Sequence, residues 1–398
     1  MPSKSRTSGK TRRSSEGARL RRRLVEQLEA GGSVTSPAVR SAFLAVPRER
    51  FLSEIAEREG LERVYENQAI VTVKDDRGSP ASSSSQPSMM ASMLEQLDLR
   101  PGQRVLEVGA GTGYNAALLA RIVGARGQVT SIELDPATAR GARRGLASVR
   151  SRAKVVRGDG REGRPRGAPY DRIIVTASTP VVPRAWYDQL AEDGLLELPL
   201  VVPRAGQAQA IVTFRKQAEA EVLRSEAVLY GGFMPLRDAP GAPVPAPAPS
   251  LGAIERIGER SRSLAQLSGE ALRRLSQARR QGLLSLALSE PRTLDLGLRA
   301  LRPALSIFLT IEAPVDRLVG GWPRMGVISE NGDGLALLAG GEKTFTRIES
   351  YGDRGAEHLL LELIEGWRQR GRPSGDDLLI EVSFRGEAAS EVRLSWEA

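Results

Sequence analysis

Apolar residues recur along this chain first at helical spacing and then in short strand-like runs. Leu20, Leu24, Val25 and Leu28 fall on one face of a helix predicted over 19–30. Ser36 as a cap, Pro37 in the first turn and Val39, Phe43 and Val46 on one face predict a second helix. The polar, turn-rich stretch 75–85 predicts a loop, and a helix is predicted over 88–97. Buried-type strands are then predicted at 104–108, 128–134, 153–157, 171–176, 195–200 and 210–214, with helices at 115–123 and 136–146 between early members. A seventh strand fits 227–230. Strands alternating with helices of this length predict an α/β fold with a mostly parallel, doubly wound sheet.

The pattern changes at 239–250, where five prolines are interleaved with Ala and Gly. Such a run predicts an extended, semi-stiff linker. Beyond it, 264–287 reads as largely helical, followed by strands at 325–328, 335–338 and 344–348, a helix at 356–370, and strands at 378–384 and 392–396. The expected organisation is a basic disordered tail (1–18), an α/β domain with N-terminal helices (19–238), the linker (239–250) and a separate α+β domain (251–398).

Charge and composition narrow the chemistry. The formal net charge is +9, but nine basic residues and one acid lie between Met1 and Leu24, so the excess sits on the tail and the start of the first helix. A solvated basic tail is the simpler reading, and it argues against nucleic acid as the main partner. The chain has no cysteine and one histidine, His358, in a predicted C-terminal helix. Disulfides, zinc–thiolate sites and histidine triads are therefore poor hypotheses, and no metal is expected. No apolar run is long enough to span a membrane, and no apolar core follows the basic N-terminus, so neither a membrane partner nor a secretory leader is expected. A cytoplasmic location fits the absence of cysteine.

The strongest chemical signal is VLEVGAGTGY, Val105 to Tyr114. A buried strand runs into Gly109, Ala110, Gly111 and Gly113, and a helix follows. Glycines let backbone turn tightly and approach a ligand without a Cβ in the way. Glu133 ends the next strand, where a carboxylate can accept from both ribose hydroxyls of a nucleoside cofactor, with Leu134 beside it. A dinucleotide site reads G-x-G-x-x-G, whereas here the third glycine comes one residue earlier. Glu107 precedes the first glycine by two residues; a carboxylate there repels a pyrophosphate but suits an ammonium group. Asp159 and Gly160, after the third strand, are placed to reach an adenine. Together these residues predict a site for S-adenosylmethionine.

The acceptor is argued from other residues. The fourth strand ends in IIVTAS, which includes Thr176, and lacks the Asn/Asp-Pro-Pro-aromatic run of base amino-methyltransferases. A carboxylate acceptor needs no base, because Asp, with a pKa near 4, is already ionised at neutral pH. Methyl transfer to it then depends on alignment and partial desolvation.

AFLAVPRERF (Ala42 to Phe51), Ser85-Gln86-Pro87 and the stretch from Pro101 through Phe214 resemble the protein-L-isoaspartate O-methyltransferase family, over roughly residues 20–236. The resemblance implies a class I Rossmann-like methyltransferase sheet and S-adenosylmethionine as cofactor, leaving S-adenosylhomocysteine. That family methylates the side-chain carboxylate of isoaspartate in peptides, and the ester then closes to a succinimide. By resemblance Ser85 would contact the acceptor carboxylate, Ser83 would replace a threonine hydroxyl, and Ser84, Gln86, Asn67 and Thr176 would lie at the acceptor site. Two departures stand out. The usual Gly-Gln-Thr-hydrophobic-Ser run is Ser82-Ser83-Ser84-Ser85 here, and Asn67 stands where Asp is common. SSSSQP, GFMPLR (Gly232 to Arg237) and the C-terminal extension with its Tyr351-Gly352-Asp353 turn are similar to a bacterial branch that methylates one aspartate of a ribosomally made, modified peptide (lanthipeptide or graspetide type), driving aspartimide formation. The resemblance favours that dedicated role, with the extension recognising the peptide, over general isoaspartate repair.

Overall fold

A row of four consecutive buried residues, Val105 to Val108, marks the centre of the molecule. They form β3 (Arg104–Val108), inside a nine-stranded sheet. The computed structural model describes residues 4–75, 78, 80–201, 209–237, 280–291, 308–311, 324–329, 333–340, 344–371, 377–385 and 389–396. Next to β3 lie β4 (Gln128–Glu133) and then β5 (Lys154–Arg157) on one side, and β6 (Tyr170–Val175) and β7 (Leu190–Val201) on the other. These five strands are parallel, in register Glu107 to Ser131 and Glu107 to Ile174. The order reverses at β3, so a crevice opens beyond the carboxyl ends of β3 and β6, where doubly wound sheets bind their ligands. The antiparallel strands β8 (Gln209–Gln217) and β9 (Val222–Tyr230) extend the sheet beyond β7.

Helices cover the sheet as the apolar pattern requires. One face carries α1 (Lys4–Ala30), α2 (Pro37–Ala45), α5 (Pro87–Gln96), α6 (Tyr114–Val123) and α7 (Pro136–Ser148); the short helices α3 (Ser53–Arg58) and α4 (Leu61–Val64) connect them. Leu20, Leu24, Val25 and Leu28 are buried in that core, as are Met90 and Met93 of α5. Ser36 caps α2, its hydroxyl accepting from Val39 N at 3.2 Å, with Pro37 in the first turn. The opposite face buries Trp186 and Tyr187 of α8 (Arg184–Gln189) against Ile173, Val175 and Leu196. No helix among the described residues is long and apolar enough to cross a membrane.

Three expectations are corrected. First, α1 begins at Lys4, not at residue 19, so the basic segment 4–18 is helical. No proline interrupts residues 4–30, and once the buried turns at Leu20–Leu28 nucleate a helix, each added residue gains a hydrogen bond. Second, the serine run is not a loop. β1 (Ile70–Lys74) and β2 (Pro80–Ser84) form an antiparallel hairpin, with Ile70 opposite Ser84 and Val71 opposite Ser83. Backbone pairing across the hairpin overrides the weak strand preference of serine.

Third, the region after the linker is not one separate domain. β10 (Arg280–Pro291), β11 (Phe308–Ile311), β12 (Arg324–Ile328), β13 (Gly334–Gly340) and β14 (Thr344–Gly352) form an antiparallel sheet in the order β10-β14-β13-β12-β11. Residues 280–287 are thus strand and not helix; 239–279, including the linker, lie outside the described residues. Against this sheet packs α9 (Gly355–Gln369), burying Leu360, Leu363, Ile364 and Trp367 with Val327, Leu338 and Ile348. The final hairpin, β15 (Leu378–Arg385) and β16 (Ala389–Trp396), joins the nine-stranded sheet instead, with Glu381 opposite Arg224 and Val382 opposite Leu223. Ile380 N donates to Ser225 Oγ at 2.9 Å across that seam, and Leu378, Ile380 and Val382 complete the core around Trp186. Strand periodicity identifies β15 and β16, but not the partner on which they add.

Candidate active site

The glycine segment turns at the carboxyl end of β3 because three of its residues adopt left-handed backbone: Gly109 (φ 99°), Gly111 (φ 51°) and Gly113 (φ 86°). Gly109 N and Ala110 N both donate to Ile132 O, at 2.9 and 3.1 Å, which ties the turn to β4. A Cβ on Gly109 would stand 2.5 Å from Thr176 Oγ1, and one on Gly113 would stand 3.1 Å from the Ala142 carbonyl. Thr176, the residue after β6, donates to Gly109 O at 2.8 Å and so braces the turn. At Gly160, beyond β5, a Cβ would meet Val108 Cγ1 at 2.3 Å, so the third crossover also needs a bare backbone.

Three carboxylates stand at the ends of β3, β4 and β5. Glu107 is fully buried. Asn115 Nδ2 donates to its Oε1 at 2.8 Å and Ser131 Oγ donates to its Oε2. Burial pushes its pKa up to about 7 against the pull of those two donors, and the Glu133 charge pushes the same way. Glu133 Oε2 accepts from Gly111 N at 3.0 Å and its Oε1 from Asp135 N at 3.1 Å, so the β4 carboxylate orders both the glycine turn and the start of α7, where Leu134 lies between them half-buried. Asp159 is held below the usual carboxylate range by hydrogen bonds from Arg161, whose guanidinium reaches it at 2.7 Å.

These residues fit the cofactor expected from the sequence. Asn115 Oδ1 is buried beside Glu107 and has no hydrogen-bond partner among the described residues. An acceptor in that state, next to a carboxylate, suits an incoming ammonium group. The bare backbone at Gly109 and Gly111 leaves room for a ligand to lie against the turn. Glu107, Gly109, Ala110, Gly111, Gly113, Glu133, Asp159, Gly160 and Thr176 are all brought to one end of the sheet. Tyr114 is not part of that surface as a side chain. Its ring is buried edge-on to Phe43 (6.2 Å between centroids) and tilted on Phe51 (5.6 Å), because α6 turns this face towards the N-terminal helices. Among the described residues no group of three or more His, Cys, Asp and Glu side chains could hold a metal ion.

The serine strand lies over the glycine turn. A Cβ on Gly111 would be 3.4 Å from Ser83 O and 3.9 Å from Ser82 Oγ. Along β2 the side chains alternate: Ser82 and Ser84 are buried, whereas Ser83 and the following Ser85 are half-buried. Ser84 is therefore corrected from an acceptor contact to an anchor, its hydroxyl accepting from Arg48 Nη2 at 3.2 Å. The acceptor role expected of Asn67 is also narrowed, since its Oδ1 accepts from Ser88 N at 2.9 Å and caps α5. Gln86 stands at the N-cap position of that helix, half-buried and making no side-chain cap bond.

Arg48 was not singled out as a functional residue in the sequence, although it lies inside VPRERF. It heads a 3₁₀ turn, Arg48–Arg50, and is fully buried. Burial lowers its pKa to about 10. Its place between Val46-Pro47 and Phe51-Leu52, in a charged turn flanked by residues of apolar type, is the one signal that could have marked it.

A doubly wound sheet with a glycine turn, a carboxylate ending the second strand and a buried carboxylate before the turn defines an S-adenosylmethionine-dependent methyltransferase. Residues 19–239 match the family described as protein-L-isoaspartate(D-aspartate) O-methyltransferase. A protein-L-isoaspartate O-methyltransferase of Pyrobaculum neutrophilum is 38% identical over 219 residues, covering 54% of this chain and 99% of that protein. The protein of the same name from Methanopyrus kandleri is 38% identical over 222 residues, 55% of this chain and 91% of that protein. A solved structure named protein-L-isoaspartate O-methyltransferase superposes with a TM-score of 0.54 at 26% identity, covering 95% of this chain and all of that chain (100%). The chain belongs to the protein-L-isoaspartate(D-aspartate) O-methyltransferase family, and is a protein carboxyl O-methyltransferase that uses S-adenosylmethionine.

Proposed function

We propose that this enzyme methylates the free carboxylate of isoaspartyl residues in peptides or proteins. The observation that carries the reading is the hairpin strand β2, which lays the Ser83 carbonyl and the Ser82 hydroxyl over Gly111 of the glycine turn and leaves Ser83 and Ser85 half-buried beside it. Hydroxyl donors there orient a carboxylate without removing its negative charge. S-adenosylmethionine supplies a methyl carbon bonded to a sulfonium. An acceptor carboxylate oxygen forms the new C–O bond as the C–S bond breaks, and the electron pair of that bond goes to sulfur. The neutral ester can then lose methanol to a neighbouring backbone N–H, closing a succinimide.

Glu107, with Asn115 Oδ1, would hold the ammonium end of the cofactor, Glu133 its ribose, and Asp159 with Gly160 the adenine. In this reading Ser83 and Ser85 bind the acceptor, Ser84 anchors the strand that presents them, and Thr176 braces the glycine turn. The C-terminal extension does not by itself call for another substrate, since a solved protein-L-isoaspartate O-methyltransferase is matched over 95% of this chain.

A second reading is favoured by the four-serine run, which departs from the usual Gly-Gln-Thr-hydrophobic-Ser pattern. In it the acceptor is one aspartate of a constrained, ribosomally made peptide, and the ester collapses to aspartimide. Mass spectrometry of peptides incubated with enzyme and S-adenosylmethionine separates the two. Gain of one methyl group on short, unrelated isoaspartyl peptides supports the first reading. Methylation confined to a constrained Asp peptide, followed by loss of methanol, supports the second and overturns the first.

A further inference from the structure

Arg48 is a buried cation with no ion-pair partner among the described residues. Its Nη2 donates to Ser84 Oγ at 3.2 Å and to Ser85 O at 3.1 Å. Its guanidinium carbon lies 5.5 Å from the centre of the Tyr114 ring, on the first residue of α6. One side chain thus joins the 3₁₀ turn, the serine strand and the helix that follows the glycine turn. Nε and Nη1 are buried with no hydrogen-bond partner, and no carboxylate pairs with Arg48 among the described residues. Desolvating a charge costs several kcal/mol unless it is compensated, and contact with one aromatic face offsets only part of that. It holds Ser84 by its hydroxyl and Ser85 by its carbonyl, the two residues that follow Ser83 on the chain.

We propose that Arg48 is the positioning residue of the acceptor site, and that its unpaired positive charge selects an anionic carboxylate over a neutral carboxamide. The inference rests on the reading of β2 as the acceptor strand. Two effects follow from the geometry. Bonding to Ser84 Oγ turns that hydroxyl inward, so the strand alternation sets Ser83 and Ser85 on the other side. Bonding to the Ser85 carbonyl polarises the peptide between Ser85 and Gln86, strengthening the Gln86 N–H as a donor. Binding of a carboxylate near the serine strand supplies a negative charge to Arg48, with which no carboxylate of the described residues forms an ion pair. A neutral side-chain amide of the same shape does not.

The test uses three full-length variants. Arg48→Met keeps much of the bulk and removes the charge, Arg48→Lys keeps the charge, and Ser84→Ala removes one anchor while sparing the buried cation. Each is assayed for KM and kcat with an isoaspartyl peptide, for S-adenosylhomocysteine affinity by calorimetry, and for inhibition by the matching carboxamide peptide. In Arg48→Met, KM for the peptide is expected to rise about tenfold or more, the size of a lost charge-assisted interaction. S-adenosylhomocysteine affinity stays within about threefold, and the preference for carboxylate over carboxamide collapses. Arg48→Lys restores most of that preference. Ser84→Ala raises KM about three- to tenfold with cofactor affinity unchanged.

The inference is overturned if Ser84→Ala and Arg48→Lys leave KM and the carboxylate preference as in the wild type while Arg48→Met does the same. It is equally overturned if cofactor affinity falls in step with KM, which would make Arg48 a packing residue of the glycine turn. Should Arg48→Met not fold, the Ser84→Ala result decides. A wild-type enzyme that methylates no isoaspartyl peptide overturns the proposed function itself, an outcome distinct from normal turnover with unaltered variants.

Discussion

Glu107→Gln should abolish the acid side of the pH dependence of cofactor binding. The carboxyl is fully buried, and its pKa is pushed from 4.5 to about 7 by desolvation, with Ser131 and Asn115 pulling the other way. That interval corresponds to about 3 kcal/mol that ionisation costs in the folded chain. At pH 6 roughly one molecule in ten carries the charge, and at pH 8 roughly nine in ten. If an ammonium group binds only the ionised form, affinity at pH 6 is about tenfold weaker than at pH 8 through Glu107 alone. The α-ammonium group of the ligand itself loses its proton at higher pH, which weakens binding on the alkaline side. The expected profile for S-adenosylhomocysteine is therefore a bell. Calorimetry in two buffers of different ionisation enthalpy should count close to one proton released per binding event at pH 6. In Glu107→Gln the acid limb and that proton should vanish while the alkaline limb persists. An unchanged acid limb in the variant would refute the assignment. The sign for stability is opposite. A carboxyl raised by folding stabilises the native state most below pH 4.5, and that contribution is lost as pH rises through 7. Without ligand, Glu107→Gln should thus melt higher than wild type at pH 8.

Further outcomes are expected. Gly109→Ala should lose cofactor affinity and about 1–3 kcal/mol of stability by urea unfolding, because φ is 99° and the new Cβ would stand 2.5 Å from Thr176 Oγ1. Trp367→Ala, at 1% exposure on the buried face of α9, should cost about 3–5 kcal/mol of the unfolding free energy. Glu197 is fully buried on β7 opposite Thr213, and burial pushes its pKa well up, so Glu197→Gln should raise the melting temperature at alkaline pH and leave it unaltered near pH 4. Ser225→Ala leaves Ile380 N without its partner and should cost about 1 kcal/mol, read as faster hydrogen exchange along β15.

Much of this site was legible because its residues sit where strands end. Glu107, the glycines, Glu133 and Asp159 lie at or just past the carboxyl ends of parallel strands, and a parallel sheet gathers such ends on one edge whatever the rest of the chain does. Arg48 was hidden because its role comes from segments far apart in sequence: the Arg48–Arg50 turn, β2 and α6 meet only in three dimensions. The serine run was read as a loop because composition outweighs backbone pairing in a single sequence. The strand at Arg280–Pro291 did leave a trace, since Leu284, Leu286 and Leu288 alternate with Ser285, Ala287 and Ser289, a period of two inside a stretch read as helix. Nothing in β15 says that it pairs with β9, because the alternation of a strand names a face and not a neighbour.

The seam between β9 and β15 has a consequence for the ribosome. Ser225 and its partner Ile380 are separated by 155 residues. At 5–20 residues per second, the catalytic half leaves the exit tunnel roughly 8–30 s before the hairpin that finishes its sheet is made. For that interval the nascent chain carries a bare strand edge at β9, open to pairing with other chains. A chaperone or a slowed codon run between the two segments would therefore alter the yield of active enzyme without changing any residue.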